Sequence, residues 1–220
     1  MSSSRLSALR RHRAVPDSMR SQPRRWLPSP VLNSASSAAS SMAAAAALPR
    51  VAVGCVGLGA MGEGMAACLL RDGFEVTVLG NTSRGPVDRL VAAGATEAFD
   101  ARELAQKVDV VCLCLPNSVV VEAVLEDMKP ALSPGKTILD TGTSSLASTA
   151  RLADVLASLG VGFAEAPLAG GKAQAAEGVL GALVGTSDDT VFATVEPVLG
   201  SFCSSVQVTL RALPPPCIDL

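Results

Sequence analysis

The chain has 220 residues, 49% of them hydrophobic and 17% charged, with a net charge of −2. That balance suits one or two folded domains and excludes a chain disordered throughout. The charge is split unevenly: residues 1–50 carry eight Arg against one acid, Asp17, for +7, and the remainder carries −9. The body therefore lacks the basic stripe that a nucleic-acid surface needs.

Residues 1–49 form the first predicted segment, a leader rich in Ser, Arg and Ala with no continuous apolar core. The composition predicts a disordered transit peptide for a plastid or mitochondrion, since a secretory signal needs an unbroken apolar stretch after its charges. A disordered extension with no address fits the same composition. A start at Met42 would leave the protein in the cytosol. No run of about 18 strongly apolar residues occurs, so no membrane partner is expected. The six Cys read as buried thiols. Cys112 and Cys114 alternate onto one face of an apolar run, and no second pair completes a metal site.

From Arg50 onward short apolar runs alternate with amphipathic segments, the signature of βαβ units around a parallel sheet. Strands are predicted near 51–56, 75–79, 109–115, 136–141 and 161–166, with helices between them. One helix is ARELAQKV, with Asp100 as N-cap and Leu104 and Val108 four apart. Another covers Ser145 to Leu159, where Leu146, Leu152, Val155, Leu156 and Leu159 make an apolar stripe that Gly160 closes. The run VDVVCLCLP is apolar on both faces, as a sheet covered by helices requires. The expected fold is α/β, a doubly wound Rossmann-type sheet with helices on both faces, spanning residues 50–200. Residues 201–220 read as a divergent tail.

The glycine pattern Gly57, Gly59, Gly62 follows the first strand directly and opens a helix. In that setting the first Gly permits the tight turn, the second clears space for a pyrophosphate, and the third lets helix and strand approach. The helix N-terminus adds a positive dipole end for phosphate. Glu63 reads as a solvated first-turn acid. The second strand ends in Gly80, Asn81, Thr82, Ser83 and Arg84 with no acid. An acid there would bond the ribose hydroxyls of NAD, so its absence beside a cation points to NADP, with NAD also possible. A plain polar turn is the alternative reading.

GLGAMGEGM, the Leu115-Pro116 pair, DTGTS at Asp140 to Ser144, and EAPLAGGKAQAAEGVLGALVG at Glu165 to Gly185 together resemble the β-hydroxyacid dehydrogenase family. That family includes 3-hydroxyisobutyrate dehydrogenases and glyoxylate, succinic semialdehyde and tartronate semialdehyde reductases, and is related to 6-phosphogluconate dehydrogenase. The resemblance implies pyrophosphate at Gly57, Leu58, Gly59, Ala60, Met61 and Gly62, and ribose at Asn81, Thr82 and Ser83, with Arg84 beside them. It places Leu115, Pro116 and Thr143 beside the nicotinamide. It also implies a small carboxylate-bearing substrate held at Ala169, Gly170, Gly171 and Lys172, with the two Gly offering backbone N–H groups.

Two positions depart from the family pattern: Ala169 replaces its Ser, and Cys68 replaces its first-helix Asn. Lys172 reads as a solvated Lys that could also reach a carboxylate. The resemblance further implies a catalytic Lys in a glycine-rich motif beyond Gly200, then an all-helical domain that completes the site and a homo-oligomer. None of Lys107, Lys129, Lys136 and Lys172 lies in such a motif, and the only His is His12 in the leader. No catalytic residue is therefore assigned. The implied activity is hydride transfer between NADP(H) and a small 3-hydroxy acid or aldehyde acid, this chain being the cofactor half of a truncated form. The alternative is an inactive NADP-binding module.

Overall fold

The apolar runs become the parallel strands of one sheet in the computed structural model, which describes residues 51–81, 83–186 and 188–209. In chain order these are β1 (Ala52–Val56), α1 (Gly62–Arg71), β2 (Glu75–Leu79), α2 (Arg84–Ala92), β3 (Thr96–Ala98), α3 (Ala101–Lys107), β4 (Val110–Leu113), α4 (Ser118–Met128), β5 (Thr137–Asp140), α5 (Leu146–Ser158) and β6 (Gly162–Glu165). There follow β7 (Leu168–Ala169), α6 (Lys172–Glu177), β8 (Leu180–Gly185), α7 (Asp189–Phe202) and β9 (Cys203–Thr209). The leader, Thr82 and residues 210–220 lie outside the described residues.

The sheet order is β3-β2-β1-β4-β5-β6-β8-β7, with β9 on the other side of β8. Strands β1 to β6 pair in parallel, whereas β8 runs antiparallel to β6 and β7. Helices cover both faces because alternate strand residues feed two separate cores. Val53, Cys55, Val110 and Cys112 pack with α1 and α7 on one side, and Val56, Val111, Leu113 and Ile138 pack with α3, α4 and α5 on the other. Cys112 is buried and Cys114 packs on the same side, as their alternation predicts. Each fully buried Leu or Val contributes roughly 1.5–3 kcal/mol relative to leaving it exposed, so these two layers are what hold the helices against the sheet.

Local signals explain the helix starts. The Asp100 carboxylate accepts the Glu103 N–H at 2.7 Å, Asn117 caps α4 through Val120 at 3.1 Å, and Ser145 caps α5 through Ser148 at 3.3 Å. The apolar stripe on α5 is narrower than its sequence suggests. Leu156 is buried, but Leu146 and Val155 are 59% and 44% exposed, because the sheet covers only one side of that helix. The expected boundary at residue 200 also moves: Ser201 and Phe202 complete α7, and 203–209 form β9 against β8.

Candidate functional site

Strands β1, β2, β4 and β5 are parallel, so the loops after them leave one edge of the sheet. The order reverses at β1, between β2 and β4. A crevice outside the strand ends is the expected binding place at such a switch point.

Three glycines shape the loop after β1, each for a different reason. Gly57 has φ of +92°, and a Cβ there would lie 2.2 Å from the Cys114 carbonyl oxygen at the end of β4. A Cβ on Gly62 would lie 2.0 Å from the Gly57 carbonyl oxygen. Both are required by the protein's own packing. At Gly59 an added Cβ meets nothing within 4 Å, and the residue is exposed with Ala60 beside it. No described residue outside the loop fills the place a side chain would take there, which leaves room for something that approaches the backbone from outside. Met61, the N-cap of α1, supplies no side-chain cap, so no capping side chain meets the positive end of the helix dipole, and the Glu63 N–H donates to the Gly59 carbonyl at 3.2 Å. Leu58 and Met61 are half-buried and anchor the loop to the core.

The loops after β4 and β5 meet beside it. A Cβ on Gly142 would lie 2.8 Å from the Leu115 carbonyl oxygen, which fixes the approach of the two turns. Asp140, 1% exposed, accepts the Gly142 N–H at 2.9 Å and the Ser144 hydroxyl at 2.8 Å, while the Thr141 hydroxyl donates to the Leu113 carbonyl at 2.7 Å. These bonds leave Pro116 and Thr143 exposed at the rim and Leu115 half-buried. In the sequence Asp140 stands out only as part of DTGTS, although a lone acid ending a buried apolar strand marks a turn-organising carboxylate. The Cys114 thiol is pushed up, chiefly by burial, and its neighbour Cys55 is pushed up to about 12 for the same reason, so neither is a nucleophile near neutral pH.

The loop of Ala169, Gly170, Gly171 and Lys172 is distant in sequence but is carried to the same end by α6, which packs on α1. A Cβ on Gly64 would lie 2.8 Å from the Ala176 amide nitrogen, and the Cys68 thiol donates to the Ala175 carbonyl at 3.3 Å. Cys68 thus supplies a cross-helix bond. Lys172 is exposed, and its charge helps lower the Glu63 carboxyl, a shift due first to the hydrogen bond from Arg89. Glu63 is therefore not merely solvated: it pairs with Arg89 of α2 at 2.6 Å. Gly170 has φ of +133°, and Gly171 N–H donates to the Gln174 side chain at 3.1 Å. A carboxylate taking that amide would have to displace Gln174.

At the end of β2, Ser83 begins α2 without using its side chain as a cap. Arg84 donates to Glu97 at 2.5 and 3.2 Å and to Asp88 at 2.8 Å. An acid is thus present at the end of β2 after all, reaching it from β3. Gly80, Asn81, Arg84, Glu97, Ala98, Phe99 and Glu103 line a cavity of about 480 Å³ there. Nothing in the sequence marks Glu97, since a three-residue strand carries no periodicity to detect.

The other three lysines sit away from the loop. Lys107 pairs with Glu103, Lys129 with Glu126, and Lys136 donates to the Val108 carbonyl. Among the described residues no helix is long and apolar enough to cross a membrane, and no group of three or more His, Cys, Asp or Glu is placed to hold a metal.

Comparison with known proteins fits this geometry. Residues 52–210 match the family described as the NAD binding domain of 6-phosphogluconate dehydrogenase. The chain is 35% identical over 152 residues to 2-(hydroxymethyl)glutarate dehydrogenase of Eubacterium barkeri, covering 68% of this chain and 50% of that protein. It is 37% identical over 150 residues to 2-hydroxy-3-oxopropionate reductase of Escherichia coli K12, covering 66% and 50%. Among solved structures, 3-hydroxyisobutyrate dehydrogenase from Salmonella typhimurium superposes with a TM-score of 0.68 at 31% identity, covering 72% of this chain and 55% of that one. The chain spans about half the length of the curated relatives it matches. It belongs to the family of the 6-phosphogluconate dehydrogenase NAD-binding domain, among relatives of the 3-hydroxyisobutyrate dehydrogenase type, and its Rossmann-type sheet is an NAD(P)-binding domain.

Proposed function

We propose that this chain is the cofactor-binding half of an NAD(P)-dependent oxidoreductase acting on a small 3-hydroxy acid or aldehyde acid. The observation that carries the reading is Gly59: its side-chain position is empty, at the N-terminal end of α1, between two glycines that packing does require. The bound nicotinamide would supply or accept hydride. The residues of this chain bind and orient: Gly57 to Gly62 take the pyrophosphate, and Asn81, Ser83 and Arg84 border the ribose. Leu115, Pro116 and Thr143 line the nicotinamide end. The loop of Ala169 to Lys172 faces a carboxylate, with Lys172 as its cation. No residue of the chain is assigned the proton transfer.

The test is titration of the chain with NADH and NADPH, followed by nicotinamide fluorescence. Saturable binding that Gly59→Val abolishes, with circular dichroism unchanged, supports the reading. Unaltered affinity in that variant would make the loop purely structural. For the substrate, reduction of 2-hydroxy-3-oxopropionate or succinic semialdehyde by a form extended with a helical domain is the assay, and no turnover of any aldehyde acid sinks that part. The +7 charge of residues 1–50 supports import into a plastid or mitochondrion. A reporter fused to residues 1–50 that stays diffuse in the cytosol would reject this address.

A further inference from the structure

Strand β2 ends without a carboxylate, yet the cavity beyond it holds two, Glu97 and Glu103. Glu97 pairs in register with Val78 across β2 and β3, and its Oε1 lies 3.4 Å from where a Cβ on Gly80 would stand. Its side chain therefore occupies the place beside the end of β2 where an acid from β2 itself would otherwise act. Both of its oxygens accept from Arg84, at 2.5 and 3.2 Å, and Asp88 takes a third N–H at 2.8 Å.

We infer that Glu97 is a specificity-determining residue of the nucleotide pocket, holding Arg84 away from a ribose 2′-phosphate and offering its carboxylate to a 2′-hydroxyl instead. This rests on the dinucleotide reading above. One guanidinium faces two carboxylates, so the cluster of Arg84, Glu97 and Asp88 is net negative before any ligand arrives. Glu103, also in the cavity wall, is matched by Lys107 at 2.6 Å. A 2′-phosphate carries close to two negative charges and meets this cluster at a cost. A 2′-hydroxyl carries none and can donate to Glu97. Arg84 still has two N–H donors not used in these three bonds, so phosphate is penalised rather than refused. The cavity of about 480 Å³ is of ligand size. The unaltered chain thus discriminates weakly between the two dinucleotides, and Glu97 sets the margin.

The experiment measures Kd for NADH and NADPH with the whole chain, Glu97→Gln and Arg84→Ala, each checked by circular dichroism. Glu97→Gln keeps the side chain's shape and is expected to tighten NADPH by about fivefold, the effect of one exposed ion pair, while leaving NADH equal or weaker. Arg84→Ala is expected to weaken NADPH and spare NADH. A Kd ratio in Glu97→Gln within about twofold of the unaltered chain overturns the inference, as does NADPH binding indifferent to Arg84. Binding of neither nucleotide by the unaltered chain overturns the dinucleotide reading and the inference with it, whereas normal binding of both with an unchanged ratio overturns the inference alone.

Discussion

The loop after β1 and the cavity after β2 sit side by side on the same sheet edge, and they select in opposite ways. The loop works by shape. Backbone oxygens stand 2.2 and 2.0 Å from the Cβ positions of Gly57 and Gly62, and empty space surrounds that of Gly59. The cavity works by charge, with Arg84, Glu97 and Glu103 in its wall partly exposed and paired, and Asp88 holding Arg84 from beside it. Steric exclusion at van der Waals distance is nearly all-or-none, whereas exposed charges are softened by water and salt. Substitutions in the loop should therefore abolish, and substitutions in the cavity should tune.

The largest expected effect breaks the loop itself. Gly62→Val forces a side chain against the Gly57 carbonyl and should cost more than about 3 kcal/mol, lowering the thermal midpoint by roughly 10 °C or more. Gly59→Val should hold the midpoint within about 2 °C while losing the nucleotide. Equal midpoints for the two variants would erase the distinction between packing glycine and ligand glycine. A middle effect is expected at Asp140, whose buried carboxylate accepts from Gly142 and Ser144. Asp140→Ala strands those donors and should cost about 1–3 kcal/mol in denaturant unfolding, with weaker nucleotide binding. A loss below about 0.5 kcal/mol would mean that water replaces the carboxylate without penalty.

The smallest effect sharpens the link between the two regions. Glu63 of α1 pairs with Arg89 of α2, and this bond holds the Glu63 carboxyl below its ordinary value. A depressed acid stabilises the fold above its unfolded pKa, and that contribution disappears as pH falls through the folded pKa. Glu63→Gln should therefore melt slightly below the unaltered chain at neutral pH and together with it well below about pH 4. A difference that persists in acid would assign the effect to packing instead of charge. High salt should shrink it at neutral pH, since Arg89 is exposed.

How much was legible follows the physics of each feature. Strands β1, β2, β4, β5 and β6 were readable as short, largely apolar stretches between helical segments, and the three-residue β3 was not. Strands β7 and β8 were not, since LA is too short and LGALVG too rich in glycine to stand out from a loop. Asp100 and Ser145 were readable as helix starts because a cap is a local bond between residues three apart. The exposure of Leu146 and Val155 was not, because whether a neighbour covers that side of α5 is a long-range matter.

The sequence by itself determined the glycine loop, the strands β1, β2, β4, β5 and β6 with helices between them, and the family, because each depends on residues close together in the chain. Only the tertiary structure decided three things. It revealed that Gly59 alone of the loop glycines faces open space, that α6 carries Gly170 to Lys172 to the first turn of α1, and that Glu97 stands beside Arg84 where β2 lacks an acid. Each is a contact between segments that only the register of the sheet or the packing of two helices brings together, and no local pattern encodes such a distance.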